Sequence, residues 1–259
     1  MKEFVRMLLS ENNSELSIGL FDIWHFLYLF VILGGGILLS FLFCHRDEQT
    51  KDKVLRIFAG LVIGLYIADF FLMPLSDTYN GIAQDKLPFH ICTLMGVLTP
   101  FAQYNKKFSN IKHVIVILGM AGALMWMAYP GSALGGEPPF CYRIFQTFMY
   151  HGVLFIWGLL NLTLGTVKLD IKKIWMELCG ILMLLVWAWI GNSLYDNQNW
   201  FFIETSIFPF LSDEIMPPVV VFCVFGVCLV IYGAYYLINA IVRHPAKVKA
   251  DEPIMAMSK

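Results

Sequence analysis

The sequence predicts an all-α membrane protein, a single bundle of seven transmembrane helices. The chain has 259 residues, of which 58% are hydrophobic and only 14% charged, whereas a soluble protein carries about a quarter charged residues. The apolar residues occur in long blocks, as expected where roughly 20 of them must cross the hydrocarbon core. Along the chain, connections rich in Lys and Arg alternate with connections poor in them, as the positive-inside rule describes for a membrane protein.

Seven apolar segments are the predicted helices. In chain order they cover about residues 23–44, 57–73, 89–104, 113–128, 142–164, 174–190 and 219–241. The first, fifth and seventh have the full length of a transmembrane helix, while the other four lie near the short limit. We therefore expect residues 1–241 to form one bundle and residues 242–259 to form a polar cytoplasmic tail.

The distribution of basic residues orients the bundle. Fourteen of the 18 Lys and Arg residues lie in the connections at 45–56, 105–112 and 166–173 or after Ile241. Cytoplasmic segments carry such an excess, so these segments should face the cytoplasm. An odd number of spans then puts the N-terminus outside and the C-terminus in the cytoplasm. The net charge of −1 gives no indication of nucleic-acid binding.

The connections on the predicted outer side are rich in turn-forming or aromatic residues. They are Pro74–Pro88, Tyr129–Phe140 and Gly191–Pro218. The second reads YPGSALGGEPPF, and its Gly and Pro residues cannot continue a helix. The third is aromatic, with Trp200, Phe201, Phe202, Phe208 and Phe210. Such a segment is typical of an interfacial helix or a re-entrant cover rather than a solvated loop.

A cysteine and a histidine open the third span. The segment begins Leu-Pro-Phe-His-Ile-Cys and contains His90 and Cys92. Pro88 suits the first turn of a helix, because its missing N–H would be unpaired there. Cys92 then lies in or just after the first turn, where a helix N-terminus favours a thiolate. On a regular helix His90 points away from Cys92, so the two share a cavity only if the helix begins irregularly.

The fifth span carries a polar stripe. Arg143, Thr147 and His151 follow each other at intervals of four residues and therefore share one helix face. His151 lies about 13 Å below the outer end of the span. Asp69 in the second span and His25 in the first lie at similar depth. Because ionisable side chains are costly in hydrocarbon, several at one depth indicate a shared site.

Each of these residues also has a structural interpretation. A buried cysteine usually acts as a small hydrophobic residue, and a histidine in a bundle often hydrogen-bonds a neighbouring helix. Asp69 either orients a histidine or pairs with Arg143, and we expect His25 at the membrane interface. The six cysteines form no metal-binding pattern. Cys92 and Cys141 both lie near the outer face, so the sequence permits a disulfide between them without deciding it.

The ionisable residues near the cytoplasmic ends of the spans are expected away from the site. Glu177 lies at the cytoplasmic end of the sixth span, where its side chain should extend to the membrane surface. His45, His113 and His244 are also predicted on the cytoplasmic side. We therefore exclude them from the candidate site.

Three segments resemble a known family. They are LPFHICTLMG at 87–96, the YPGSALGGEPPF loop and FQTFMYHG at 145–152. They resemble the YwaF-type bacterial integral membrane family, with the same span count over nearly all of the chain. That family looks like the bacterial branch of a group that includes eukaryotic transmembrane acyltransferases and, more distantly, lipid hydrolases with a threonine nucleophile and a histidine. The resemblance implies Cys92 as the acyl-accepting nucleophile, His151 as its companion and His90 as part of the same motif.

The leading prediction is an acyltransferase or related acyl-ester lipid enzyme of the bacterial cytoplasmic membrane. Cys92 would take an acyl group from a membrane phospholipid or another acyl lipid as a thioester, and His151 would act as base and then as acid. Arg143, Thr147 and Asp69 are the predicted substrate-binding residues. No cofactor and no metal is expected.

Two other functions stay open from the sequence. A zinc-dependent membrane hydrolase needs about three histidines on neighbouring helices, and the available set is His25, His90, His151 and Asp69. The last two spans contain no histidine, which argues against it. A transporter or sensor without catalysis would use intramembrane His and Asp as a proton path, although no inverted repeat is visible.

Overall fold

The architecture is helical throughout the described part of the chain. The structure is a computed structural model that describes residues 18–72, 86–130, 134, 138–195, 198–206 and 211–250, with side chains as far as Ile241. Seven α-helices and a few single-turn segments make up its regular secondary structure, so the all-α prediction is confirmed. Parts of the three predicted outer connections, including Phe208 and Phe210, lie outside the described residues.

Each predicted span coincides with one helix. The helices are α1 (Ile23–Phe43), α2 (Glu48–Leu72), α3 (Ile91–Tyr104), α4 (Lys112–Ala128), α5 (Tyr142–Thr163), α6 (Trp175–Leu194) and α7 (Met216–Ala250). Two of them extend well beyond the apolar segments, because hydropathy detects only the part of a helix that is apolar. Helix α2 begins nine residues before residue 57, and α7 continues to Ala250, into the segment predicted as a tail.

The early start of α2 has a local cause. The Asp47 carboxylate accepts hydrogen bonds from the backbone N–H of Thr50, at 2.9 Å, and from the Thr50 hydroxyl, at 2.7 Å. The first of these bonds satisfies a backbone donor that the first turn of a helix leaves unpaired. The hydrogen bond from the Thr50 side chain also lowers the pKa of the exposed Asp47 carboxyl.

Helices α4 and α5 form the centre of the bundle. Helix α4 packs against α3, α5, α6 and α7, while α5 also contacts α1 and α2. Most side chains of α4 are buried. The first turns of α1 contact the end of α4 and the segment before α5. His25 Nε2 lies 2.8 Å from the Met127 carbonyl, and the Tyr28 hydroxyl donates to the Pro139 carbonyl at 2.6 Å.

The helices at the periphery of the bundle, α1, α2, α6 and α7, have the composition of membrane spans. In the described residues, four helical segments are long and apolar enough to cross a membrane: Ile23–Phe43, Glu48–Leu72, Ile171–Leu194 and Asp213–Ile241. Helices α3 and α4 are apolar but shorter. Large apolar side chains such as Phe30 on α1 and Phe222 on α7 are more than three-quarters exposed. Exposed apolar surface of this extent suits contact with lipid.

Glu177 departs from its predicted position at the membrane surface. Its side chain is fully buried in the first turn of α6, because α4 and α7 pack over that turn. The Tyr232 hydroxyl donates to Glu177 Oε1 at 3.0 Å, and His113 Nε2 lies 3.8 Å from the same oxygen. Among the described residues, Glu177 Oε2 and His113 Nε2 are buried polar atoms without a hydrogen-bond partner.

Candidate functional site

A cavity of about 410 Å³ lies among the start of α3, the end of α4, the middle of α5 and the start of α7. Its wall is mainly apolar, with a small polar group at one side. The polar or reactive members are His90, Cys92, Thr93, Tyr129, His151 and Cys223. Pockets of this size and character are typical of small-molecule binding sites.

Cys92 is presented by the first turn of α3. The helix begins at Ile91, so Cys92 is its second residue, and its side chain is 7% exposed. The close approach of α4 depends on Gly122, where a Cβ atom would lie 3.0 Å from Cys92 Sγ and 2.8 Å from Ile91 Cγ2. Pro88 was predicted in the first turn but precedes the helix cap by two residues, and its carbonyl accepts a hydrogen bond from Trp187.

His90 shares the cavity with Cys92 because it is not part of the helix. As the N-cap residue it has an extended backbone, with φ −82° and ψ 152°, so the helical angle between residues 90 and 92 does not apply. Its Nδ1 accepts a hydrogen bond from the Phe201 backbone N–H at 3.1 Å. A neutral His90 therefore carries its proton on Nε2 and is a hydrogen-bond donor at that atom.

His151 has the opposite tautomer. Its Nδ1 lies 2.8 Å from the Thr147 carbonyl, which can only accept, so Nδ1 carries the proton. The Nε2 atom of neutral His151 consequently holds a lone pair and can take up a proton. The ring stacks on Trp126 with centroids 4.1 Å apart and planes 11° apart. An aromatic face at this distance also stabilises a protonated imidazole.

Tyr150 on α5 connects this helix to α3, so it joins the two helices that carry His151 and Cys92. Its buried hydroxyl donates to the Cys92 carbonyl at 2.9 Å, and its ring touches the His151 ring edge-on. The hydroxyl has room only because position 96 is glycine, since a Cβ atom there would overlap it. Tyr150 is not among the predicted site residues, although it stands directly before His151 and a buried tyrosine usually has a hydrogen-bond partner.

The predicted substrate-binding residues lie apart from the cavity wall. Asp69 is buried and forms an ion pair with Lys86. The Thr147 hydroxyl donates to the Arg143 carbonyl at 2.8 Å, within its own helix. Of the predicted polar stripe, only His151 therefore lines the cavity.

His25 lies in the first turn of α1, where its side chain is fully buried and both of its ring nitrogens are engaged. Its Nδ1 accepts from the Phe21 N–H at 3.1 Å, and its Nε2 meets the Met127 carbonyl. It therefore does not join His90 and His151 in a metal site. Across the described residues, no group of three or more His, Cys, Asp or Glu side chains is arranged to hold a metal ion.

The cysteines and the aromatic cover complete the site. No disulfide joins Cys92 and Cys141, the pair that the sequence had left undecided. Phe201 and Phe202, which belong to the aromatic connection, line the cavity. Both have positive φ, 60° and 54°, a conformation uncommon for bulky residues. This backbone directs the Phe201 N–H towards His90.

A chain whose described residues form only helices as regular secondary structure, several of them of membrane-spanning length, is a multi-pass membrane protein. Its residues 20–237 match the model of the TMEM164 family, and the chain belongs to that family. No curated protein and no solved structure matches the chain. The match bears out a transmembrane protein family over most of the chain. It does not bear on the resemblance to the YwaF-type family or on the relation to acyltransferases.

Proposed function

We propose that this protein is a membrane-embedded acyltransferase that uses Cys92 as nucleophile and His151 as acid and base. The observation that carries the proposal is that α3 and α5 bring this thiol and this imidazole, with His90, to one largely apolar cavity. A thiol beside a histidine is the minimum equipment of nucleophilic acyl chemistry. The apolar remainder of the wall suits the hydrocarbon part of an acyl lipid.

The proposal includes a full seven-span arrangement in the bacterial cytoplasmic membrane. All seven helices cross the bilayer, with the N-terminus outside and the C-terminus in the cytoplasm, because the basic residues concentrate on one side. The cavity then faces the outer half of the bilayer. The relation to the YwaF-type bacterial proteins, and through them to transmembrane acyltransferases, belongs to the same proposal.

In the first half-reaction His151 Nε2 accepts the proton of the Cys92 thiol as Sγ attacks the carbonyl carbon of a lipid acyl ester. The C–S bond forms and the negative charge moves to the carbonyl oxygen. His90, a donor at Nε2, stabilises that oxygen by a hydrogen bond. Collapse breaks the ester C–O bond, and the imidazolium of His151 returns its proton to the departing alkoxide. The products are an acyl thioester on Cys92 and a lysolipid.

In the second half-reaction the acceptor hydroxyl attacks the thioester. His151 removes the hydroxyl proton, the new C–O bond forms, and the C–S bond breaks to restore the Cys92 thiol with that proton. A lysolipid as acceptor gives a transferase, and water as acceptor gives a hydrolase. Arg143, Thr147 and Asp69 would act above the cavity, where Arg143 suits a lipid phosphate.

Intact-protein mass spectrometry tests the proposal. Purified protein is incubated with phosphatidylcholine of one defined acyl chain, and the expected result is a mass increase of one acyl group that hydroxylamine removes. Cys92→Ala should abolish the adduct. Cys223→Ala is the matched control, because it removes a second thiol from the same cavity wall and should leave the adduct intact. An adduct that persists in Cys92→Ala disproves the assignment.

One observation favours a non-catalytic alternative. The buried Glu177 and His113 are ionisable side chains within apolar helices, and such residues often belong to proton or ion paths. A transporter or sensor would show no acyl adduct on any cysteine and would lose solute movement or signalling in Glu177→Gln.

A further inference from the structure

Helix α7 forms part of the cavity wall and part of the outer surface of the bundle. Cys223 lines the cavity and is at the same time an exposed residue. Its neighbour Phe222 is 77% exposed, and both lie within a segment apolar enough to cross a membrane. In the proposed seven-span arrangement, a side chain exposed at this position of such a helix contacts hydrocarbon rather than water. The cavity is therefore open, or covered by one small side chain, towards the bilayer.

The depth of this opening matches the depth of the reactive groups. Cys223 follows the first residue of α7 by seven positions, or about 10 Å along the helix. His151 lies about 13 Å below the start of α5 by the same rise. Both helices begin at the end of the bundle where the cavity lies. An opening at this depth lies below the headgroup region, in the range of the acyl chains.

The two sides of the cavity differ in chemistry. His90, Cys92 and His151 lie where α3 and α5 meet it, whereas the α4 and α7 sides contribute apolar residues, namely Met125, Trp126, Met216, Val219, Val220 and Val224. An acyl ester has the same division into a polar ester and an apolar chain. The ester fits the reactive side, and the chain fits the surface between α4 and α7.

We propose that the acyl chain of a bilayer lipid enters this cavity sideways, past Cys223, and lies between α4 and α7 with its ester towards Cys92. The inference rests on the proposed function for the role of Cys92, but lipid entry is measurable without any transfer. In this proposal Cys223 lies at the lipid entrance, and its small side chain leaves room for the acyl chain to pass. It also makes the donor a resident of the membrane rather than a water-soluble acyl thioester.

Photo-crosslinking tests entry in a background that cannot react. Full-length Cys92→Ala protein is placed in nanodiscs containing phosphatidylcholine with a diazirine in one acyl chain, irradiated and digested. Peptide mass spectrometry should locate crosslinks on the cavity-facing Met125, Val220 or Val224. Adding Cys223→Trp should lower these crosslinks about tenfold, equivalent to about 1.4 kcal/mol of binding. Crosslinks confined to outward residues such as Phe222 overturn the proposal.

Two controls keep the test decisive. Val230→Trp adds the same bulk at a side chain of α7 that is 69% exposed and absent from the cavity wall, and it should leave the crosslinks unchanged. Cys223→Phe repeats the obstruction if the tryptophan variant fails to fold.

A water-soluble acyl-coenzyme A with the same photoreactive chain is the second arm of the experiment. If it crosslinks the cavity equally in Cys223→Trp, the donor enters from water and the lateral entrance is wrong.

The outcomes separate this inference from the proposed function. Cavity crosslinks that depend on residue 223, together with no acyl adduct on wild-type Cys92, retain the entrance and reject the acyl chemistry. An acyl adduct on Cys92 that forms at the same rate in Cys223→Trp retains the chemistry and rejects the entrance.

Discussion

At the scale of single residues, backbone partners determine what the two cavity histidines can do. The Thr147 carbonyl fixes a proton on His151 Nδ1, and the Phe201 N–H requires a lone pair on His90 Nδ1. The two neutral rings therefore present opposite functions at Nε2, one acceptor and one donor. This division matches an acyl transfer, which needs one group to move protons and another to stabilise the carbonyl oxygen.

Cys92→Ala and Cys92→Ser should separate the role of the thiol from that of the fold. Both changes are small, so we expect a loss of about 1 kcal/mol or less in the free energy of unfolding. Acyl transfer should vanish in the alanine variant and fall steeply in the serine variant, because a hydroxyl ionises far less readily than a thiol. Turnover of a defined phospholipid is the measurement. Near-normal turnover in Cys92→Ala would redirect attention to Thr93, which lines the same cavity.

Tyr150→Phe should weaken catalysis through position rather than chemistry. The change removes the hydrogen bond to the Cys92 carbonyl, worth about 0.5–1.5 kcal/mol, and leaves the ring between α3 and α5. We expect kcat to fall several-fold with KM little changed, measured by lipid turnover. Gly96→Ala should have a similar effect, because the added methyl group displaces the same hydroxyl. A rise in KM with kcat unchanged would contradict the positioning role.

At the scale of helices, the buried carboxylate at the basic end of the bundle joins three elements. Glu177 on α6 accepts from Tyr232 on α7 and faces His113 on α4. A buried polar group with too few partners costs free energy, so the remaining hydrogen bond matters more than its average strength suggests. This end of α4 and α7 is packed closely, while their other ends border the cavity.

Tyr232→Phe should destabilise the bundle by about 1–3 kcal/mol, because it leaves the buried Glu177 carboxyl without that donor. The measurement is unfolding of the purified protein in mixed micelles at increasing sodium dodecyl sulfate. The double variant Tyr232→Phe with Glu177→Leu should recover part of the loss, since removal of both polar partners avoids an orphaned group. Tyr235→Phe is the matched control on a partly exposed neighbour and should change stability little. Equal losses in the two tyrosine variants would show that the Glu177 contact is unimportant.

At the scale of the whole molecule, the charge distribution and the position of the cavity make one testable arrangement. The loops rich in Lys and Arg lie at one end of the helices, and the cavity lies at the other. In the orientation that we propose from the positive-inside rule, the reactive groups lie in the outer half of the bilayer. The aromatic cover of Phe201 and Phe202 lies at this same end.

Reporter fusions should verify the orientation. A reporter active only in the cytoplasm should be active when fused after Lys259, because 14 of the 18 basic residues lie on the predicted cytoplasmic side. A reporter active only outside should be silent there. Between Tyr195 and Gln198, next to the cavity cover, the two reporters should behave in the opposite way. The same signal at both positions would refute either the seven spans or their direction.

The sequence by itself determined the helices and the residue types of the site, because hydrophobic length and charge bias are local properties of the chain. It also determined that Cys92 lies in the first turn of α3, as the Pro88–Cys92 segment indicated. It could not determine that Asp69 pairs with Lys86, that His25 binds a carbonyl, or that Glu177 is buried, since each depends on which neighbouring helix covers the side chain.

Only the tertiary structure decided which polar residues share the cavity. The spacing of Arg143, Thr147 and His151 predicted that they share one face of their helix. The positions of α4 and α7 decided that, of these three residues, His151 alone lines the cavity. The extended cap at His90, the Tyr150 contact and the Cys223 entrance likewise arise from contacts between distant segments. A pattern along one helix specifies a face, whereas a cavity is defined by several helices whose mutual placement is set by packing.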